Sequence, residues 1–309
     1  MDFTLKIMGT ASAMPVIGRN QSAQVLSVHG RLFLIDCGEA VQKQLIANHV
    51  SIQKIDTICI SHIHGDHVFG IFGLLSTMGL LGRSIPLNIY APQSFGPILK
   101  FFLSYYGEGL NYEIKFTVLD MKEPEEIFHT SSVEAFAFPL NHKIETYGFL
   151  FREKTPQRNV HKHLIMRYEL SLTEIGTLKR GEDVVRDDKI LKCDELTYMP
   201  YKPRSFAYVS DTAPFPELAG WVKGVDILYH EATYLKENAD LAEKRHHSTT
   251  HQAAQCALEA GAGKLVVAHY SSREKNIDKY LNECREVFPE TYTASDGDVF
   301  DIPLDKVVD

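Results

Sequence analysis

Cysteine is scarce and scattered in this chain of 309 residues. Its five thiols (Cys37, Cys59, Cys193, Cys256, Cys284) are odd in number and form no C-x-x-C pair. That pattern excludes a disulfide framework and a structural zinc site built on thiolates. Buried thiols in a reducing cytoplasm are the expectation. Long apolar runs are also missing. No stretch of about 18 apolar residues occurs, so no membrane span is expected. Met1 to Thr10 alternates polar and apolar residues in the manner of a strand and not of a signal peptide. Positive charge is in deficit, with 32 Lys and Arg against 40 Asp and Glu and a net charge of −8. General attraction to nucleic acid by a uniformly basic surface is thereby excluded, although total charge does not fix the local field. Internal repeats and low-complexity segments are absent.

What is present fits a globular α/β chain. A 44% hydrophobic content over this length is enough to bury a large core as one domain spanning residues 1–309. Leu5 to Met8, Gln24 to Val28 and Arg31 to Ile35 read as strands, with His29-Gly30 as a turn. Val41 to His49 has helical spacing, Thr57 to Ile60 is a short strand, and Val68 to Leu81 is an apolar helix. Leu87 to Tyr90, Ile114 to Leu119 and Val133 to Phe138 continue as strands around a helix at Ile98 to Tyr105. The rhythm resumes with strands at Phe206 to Ser210, Ile227 to Tyr229 and Leu265 to His269, and a helix at His251 to Ala260. Between them, roughly 152–204 is rich in charge and poor in periodic apolar residues. It reads as an inserted arm carrying short strands at most.

The chemistry concentrates in Ser61 to His67, S-H-I-H-G-D-H, between a strand and a helix. Alternate side chains of an extended segment point the same way, so His62 and His64 can converge on one ion. Gly65 allows a turn, after which Asp66 and His67 face a second ion. Imidazole and carboxylate suit zinc, and an ion pair about 3.5–4 Å apart suits displacement at phosphorus or carbonyl. Four residues cannot complete two sites. His142, Asp211 and His269 each follow a strand, the place where ligands collect in layered α/β folds.

This constellation, with Asp36 ahead of it, resembles the metallo-β-lactamase superfamily. Further motifs resemble the ribonuclease Z family: G-T-A-S-A at Gly9 to Ala13, R-N at Arg19-Asn20, I-D-C-G-E at Ile35 to Glu39, H-E-A-T at His230 to Thr233 and H-S-T at His247 to Thr249. The resemblance covers nearly the whole chain. It implies a four-layer αββα sandwich with an inserted, protruding arm. By the same resemblance two Zn2+ ions per subunit are held, one by His62, His64 and His142, the other by Asp66, His67 and His269, with Asp211 bridging. Mn2+ also fits such sites. Asp36 would hold a ligand histidine in its tautomer, or serve only as a turn residue before Cys37-Gly38.

The implied reaction is removal of the 3′ trailer from precursor tRNA, leaving a 3′-hydroxyl on the tRNA and a 5′-phosphate on the trailer. Asp66 would orient the attacking water. His247, backed by Glu231, would protonate the leaving oxygen, since a carboxylate beside imidazole keeps a proton available. His246 lies next door; it and His251 read as surface or helix-capping polarity. His230 either orders its loop or acts directly. Residues 152–204 hold twelve Lys and Arg against nine Asp and Glu. Arg152, Lys154, Arg158, Lys162 and Arg167 form a basic run that suits phosphate contact or is an ordinary solvated loop. Lys179 and Arg180, in L-K-R-G-E-D-V at Leu178 to Val184, resemble the family's tRNA-gripping arm, used across a homodimer. The Gly-Pro-rich stretch of that arm is replaced by Tyr168 to Gly176, and the P-x-K before R-N by Pro15 to Gly18. A hydrolase of small phosphodiesters or sulfate esters on the same core is the alternative; it would need no basic arm.

Overall fold

The alternation in the first third of the chain does become a sheet. In β1 (Phe3–Gly9) the side chains of Phe3, Leu5 and Ile7 are buried on one face. Then come β2 (Ala23–Val28), β3 (Arg31–Ile35), β4 (Ile55–Cys59), β5 (Leu87–Pro92) and β6 (Ile114–Leu119). A second set comprises β7 (Glu125–His129), β8 (Val133–Pro139), β9 (Tyr147–Glu153), β10 (Ser205–Val209), β11 (Ile227–Glu231), β12 (Lys264–Ala268) and β13 (Thr291–Thr293), and β14 (Val299–Asp301) returns to the first sheet. This computed structural model describes residues 1–186 and 189–307. It divides into two compact units, residues 1–152 with 205–302 and residues 153–204 with 303–309.

In the larger unit the first seven-stranded sheet has the order β14-β1-β2-β3-β4-β5-β6 and the second β13-β12-β11-β10-β9-β8-β7. The inner faces share one apolar core, in which Phe3, Leu26, Phe33 and Ile35 meet Phe149, Phe151, Phe206 and Val209. On the outer face of the first sheet, Leu34, Ile58 and Ile89 bury against helices α1 (Val41–Ala47), α2 (Ile71–Leu80) and α3 (Phe95–Tyr106). After α4 (Ala239–Arg245), helices α5 (Thr250–Ala260) and α6 (Ile277–Arg285) cover the second sheet with Ala253, Ala254, Ala257 and Tyr280. These are the expected four layers. Among the described residues no helix is long and apolar enough to cross a membrane.

One expected helix divides. The Val68 to Leu81 run forms a single turn, Gly65–Val68, and then α2. The Gly70 N–H leaves the helical ladder to donate to the Cys37 carbonyl at 2.8 Å. A Cβ on Gly70 would lie 2.0 Å from the Gly38 oxygen, so close passage of backbone, and not periodicity, sets the break.

The smaller unit corrects the expectation of short strands at most. It contains helices Lys162–Arg167, Leu172–Lys179 and Cys193–Leu196 beside strands such as Val184–Arg186. Ser171 and Glu174 form a reciprocal capping box at the start of Leu172–Lys179, an S-x-x-E signal legible in the sequence. Val160, Leu170, Leu178, Val184, Cys193 and Leu196 form a small separate core.

Candidate metal centre

Every side chain of the expected constellation follows a strand of the larger unit. Asp36 follows β3, the Ser61 to His67 loop β4, His142 β8, Asp211 β10 and His269 β12, while Glu231 ends β11. Gly65 does not have a positive φ. A Cβ there would meet the exposed Phe69 ring at 2.3 Å, so a larger residue would displace that ring. Asp36 and His269 do adopt left-handed backbone, at φ 56° and 63°, a conformation costly for residues with a Cβ and concentrated at functional sites.

Three groups result, with ligand atoms within 4.8 Å of one another: Asp211, His247 and His269 overlap two others, His62, His64, His142 and Asp211, and Asp66, His67 and His269. Asp211 stands between them. Its Oδ2 lies 3.6 Å from His62 Nε2 and 4.0 Å from His142 Nε2, while its Oδ1 lies 3.5 Å from His67 Nε2 and 3.3 Å from His269 Nε2. Asp66 Oδ2 is 3.3 Å from His269 Nε2 and 3.4 Å from His67 Nε2.

The orientation of these rings is set from behind by two carboxylates and a carbonyl. Asp36 Oδ2 accepts from His67 Nδ1 at 2.7 Å and from the Ser61 hydroxyl at 2.8 Å. That hydroxyl in turn accepts from His62 Nδ1 at 3.0 Å. Tyr208 adds its phenol to the same Oδ2 at 2.6 Å. Glu231 repeats the scheme on the other side. Its Oε1 accepts from His247 Nδ1 at 2.9 Å, and its Oε2 from the Thr233 hydroxyl at 2.7 Å. The Thr233 hydroxyl accepts from His269 Nδ1 at 2.8 Å. His142 Nδ1 donates to the His246 carbonyl at 2.8 Å. With Nδ1 held in each case, Nε2 of His62, His67, His142 and His269 faces the cluster, where it would offer a lone pair to a bound cation. His64 presents Nδ1, which lies 3.1 Å from His62 Nε2.

This arrangement fits divalent cations. Asp211 Oδ1 is buried without a hydrogen-bond partner, although imidazole nitrogens surround it. Burial opposes charge on His67, yet Asp66, Asp211 and Asp36 raise its pKa well above the ordinary value. The carboxylates thus call for positive charge at the centre. Burial and neighbouring rings hold His62 well below its ordinary pKa, and burial lowers His64 and His142. All three therefore favour the neutral form that can coordinate.

Glu231 is fully buried with five donors on its carboxylate: the N–H groups of Thr212, Ser248 and Thr233, the Thr233 hydroxyl and His247. Burial opposes its charge, but His247 above all brings its pKa down to about 2. For His247, burial acts downward and is outweighed by Glu231 and Asp211, leaving its pKa raised to about 9. A bound cation nearby would push that value back down.

A cavity of about 660 Å³ opens over the cluster and is lined by His64, Asp66, His142, Asp211, His247 and His269. Lys143, Arg245 and Arg273 also line it, are exposed, and have no carboxylate partner within 4 Å among the described residues. The sequence reading missed these three, together with Tyr208 and the roles of Ser61 and Thr233. One signal for Tyr208 was a lone phenol on the buried face of a strand, which needs a partner. His230 is not brought into the cluster. Its ring lines a separate cavity of about 330 Å³ with Phe215, Gln252 and Cys256, because alternate strand positions face opposite sides. His251 bonds Glu286 at the surface.

The arm residues lie outside this constellation. Arg152 closes the larger unit's first segment, is exposed, and has no ion-pair partner among the described residues; Lys154, in the smaller unit, has none either. Within the smaller unit Arg158 pairs with Asp194 at 2.9 Å and Arg180 with Glu182 at 3.2 Å. Arg167 lies over the Tyr168 ring, Lys162 is exposed, and Lys179 is half-buried near the end of its helix.

Residues 3–160 fall within the family described as Anti-Pycsar protein Apyc1. That span carries Asp36, the Ser61 to His67 loop and His142 but ends before Asp211, Glu231, His247 and His269. Relatives named ribonuclease Z extend over the remainder. The one from Cytophaga hutchinsonii is 43% identical over 97% of this chain and 96% of its own length. The one from Bacteroides thetaiotaomicron is 37% identical over 96% and 94%. In fold, the chain is similar to human tRNase Z, short form, with a TM-score of 0.70 and 24% identity over 97% of this chain and 99% of that one. It is also similar to the metallo-β-lactamase fold protein YhfI from Bacillus subtilis, with a TM-score of 0.69 and 18% identity over 97% and 100%. On relatives of that identity aligned over nearly their full length, this chain belongs to the ribonuclease Z family, metal-dependent hydrolytic endoribonucleases built on the metallo-β-lactamase fold.

Proposed function

We propose that this chain removes the 3′ trailer from precursor tRNA by zinc-dependent hydrolysis of one phosphodiester, leaving a 3′-hydroxyl on the tRNA and a 5′-phosphate on the trailer. The observation that carries this reading is a pair of His/Asp clusters with Asp211 between them and a His247–Glu231 pair beside them, with His64, Asp66, His142, Asp211, His247 and His269 lining one cavity. His62, His64 and His142 would hold one Zn2+, Asp66, His67 and His269 the other, and Asp211 both; Mn2+ suits the same donors. When bound, the ions would acidify water toward neutrality and neutralise charge developing on the phosphate.

The chain's own residues supply the rest. Asp66 Oδ2 accepts a hydrogen bond from the attacking water and orients it. As the water oxygen bonds to phosphorus, giving up one proton to solvent, the bond from phosphorus to the tRNA 3′-oxygen breaks. His247 Nε2–H, on the ring whose Nδ1–H is fixed on Glu231, gives its proton to that oxygen. Lys143, Arg245 and Arg273 receive flanking phosphates of a single strand entering the cavity. Arg152, Lys154, Arg158, Lys162, Arg167, Lys179 and Arg180 contact the folded tRNA by its shape and backbone. We extend the reading to a homodimer, implied by the family resemblance. A cytoplasmic setting is supported by free cysteines, four of the five buried.

The test is purified protein with Zn2+ or Mn2+, a trailer-bearing precursor tRNA, and mapping of both new ends. A cut that leaves a 3′-phosphate, or turnover of small phosphodiesters alone, would reject this reading.

A further inference from the structure

We infer that His246 acts on the metal centre through its main chain and not its ring, as the positioning residue that fixes the tautomer of His142. This rests on the two-ion reading above and concerns which half of the adjacent pair His246-His247 does what.

Helix α4 ends in a Schellman turn. The His247 N–H donates to the Ala242 carbonyl at 3.0 Å and the His246 N–H to the Glu243 carbonyl at 3.1 Å. The residue between, His246, has φ 57° and ψ 52°, the left-handed position such turns assign to glycine or asparagine. The turn has two consequences at the cluster. It aims the His246 carbonyl at His142 Nδ1, 2.8 Å away, which leaves His142 Nε2 free of its proton and facing Asp211 and His64. It also reverses the chain so that the next residue, His247, reaches Glu231. The His246 ring takes no part. Its Nδ1 is buried without a hydrogen-bond partner, and the ring does not line the cavity over the cluster. A left-handed backbone at a residue with a Cβ is therefore kept for where its carbonyl points.

Backbone and ring are separated by four substitutions. His246→Gly and His246→Asn preserve the left-handed turn and remove the imidazole. His246→Ala weakens the turn, and His246→Val, β-branched, opposes it. The readout is zinc affinity and stoichiometry by chelator competition, with the ligand-field spectrum of the Co2+-loaded protein as a second measure. Wild-type, Gly and Asn proteins are expected to bind two ions with closely similar affinity and spectra. The Val protein is expected to lose affinity for one ion about ten-fold or more, with Ala between. Loss of one ion in His246→Gly comparable to that in a His142→Ala control would overturn the inference, because the ring would then be needed. Unchanged zinc binding in a folded His246→Val protein would overturn it as well, because the carbonyl would not be needed. If His246→Val does not fold, His246→Gly and His246→Asn still decide. Failure of the wild-type chain to bind any divalent ion would overturn the two-ion reading itself, an outcome distinct from loss confined to the Gly variant.

Discussion

Charge is handled in opposite ways in the two compact units. Around the cluster of the larger unit, Asp36, Asp66, Asp211 and Glu231 are buried; Asp36 and Glu231 are held by several donors each, whereas Asp211 Oδ1 has no hydrogen-bond partner. In the smaller unit the charges are mostly exposed, and several already neutralise one another, as in Arg186–Glu174 at 2.8 Å and Lys192–Asp183 at 2.9 Å. Burying an unpaired carboxylate is costly unless something else meets it, so the centre points to a bound cation. Exposed pairs are worth only about 0–1 kcal/mol, so those of the smaller unit point to no single ligand. Burial among pre-ordered partners, more than the number of charges, sets the two regions apart.

The strongest way to break this contrast is at the centre. Asp66→Ala should reduce cleavage of precursor tRNA by about three orders of magnitude or more, because metal-assisted charge stabilisation is worth several kcal/mol. A normal single-turnover rate would remove Asp66 from the mechanism. Next, His247→Ala should slow cleavage about 10²–10⁴-fold while zinc content, measured by metal analysis, stays near two ions. Loss of zinc would recast His247 as a ligand beside Asp211 and His269. Third, Tyr208→Phe removes one of the donors on Asp36 Oδ2 and should change zinc affinity at the His67 side about ten-fold, without unfolding the chain; chelator competition measures it. Fourth, replacing Lys143, Arg245 or Arg273 by Ala should raise KM more than it lowers kcat. Each should also reduce the salt dependence of binding by about 0.7 in log–log slope. The smallest effects sharpen the other side of the comparison. Arg180→Ala should leave the thermal midpoint nearly unchanged, because an exposed pair is screened by solvent. Lys154→Ala, which releases no ion pair, should weaken tRNA binding more than Arg180→Ala does, as read by titration at fixed salt.

How far the sequence reached differs by kind of feature. The strand-end His and Asp residues of the cluster were legible because loop and strand are local: His62, His64, Asp66 and His67 lie within one short segment, and each partner follows an apolar strand. The capping box at Ser171 was equally local but lay in a region with weak periodicity, and its helix was overlooked. Tyr208 could not be paired with Asp36 from the sequence, because 172 positions separate them and only the stacking of two sheets brings them together. His230 was half-expected at the site through its place in H-E-A-T; strand alternation turns it to the other face.

By itself, then, the sequence determined the candidate donors and their order along the chain, because residue type fixes what an atom can bind and strand patterning fixes where loops fall. It also determined the layered α/β class. The tertiary structure alone decided which nitrogen of each histidine faces the cluster, since that depends on distant acceptors: Asp36 through Ser61, Glu231 through Thr233, and the His246 carbonyl. It likewise decided that Asp211 faces both groups, that Lys143, Arg245 and Arg273 share one rim, and that of two adjacent histidines one offers its ring and the other its backbone. Those outcomes depend on contacts between segments far apart in the chain, which no local pattern encodes.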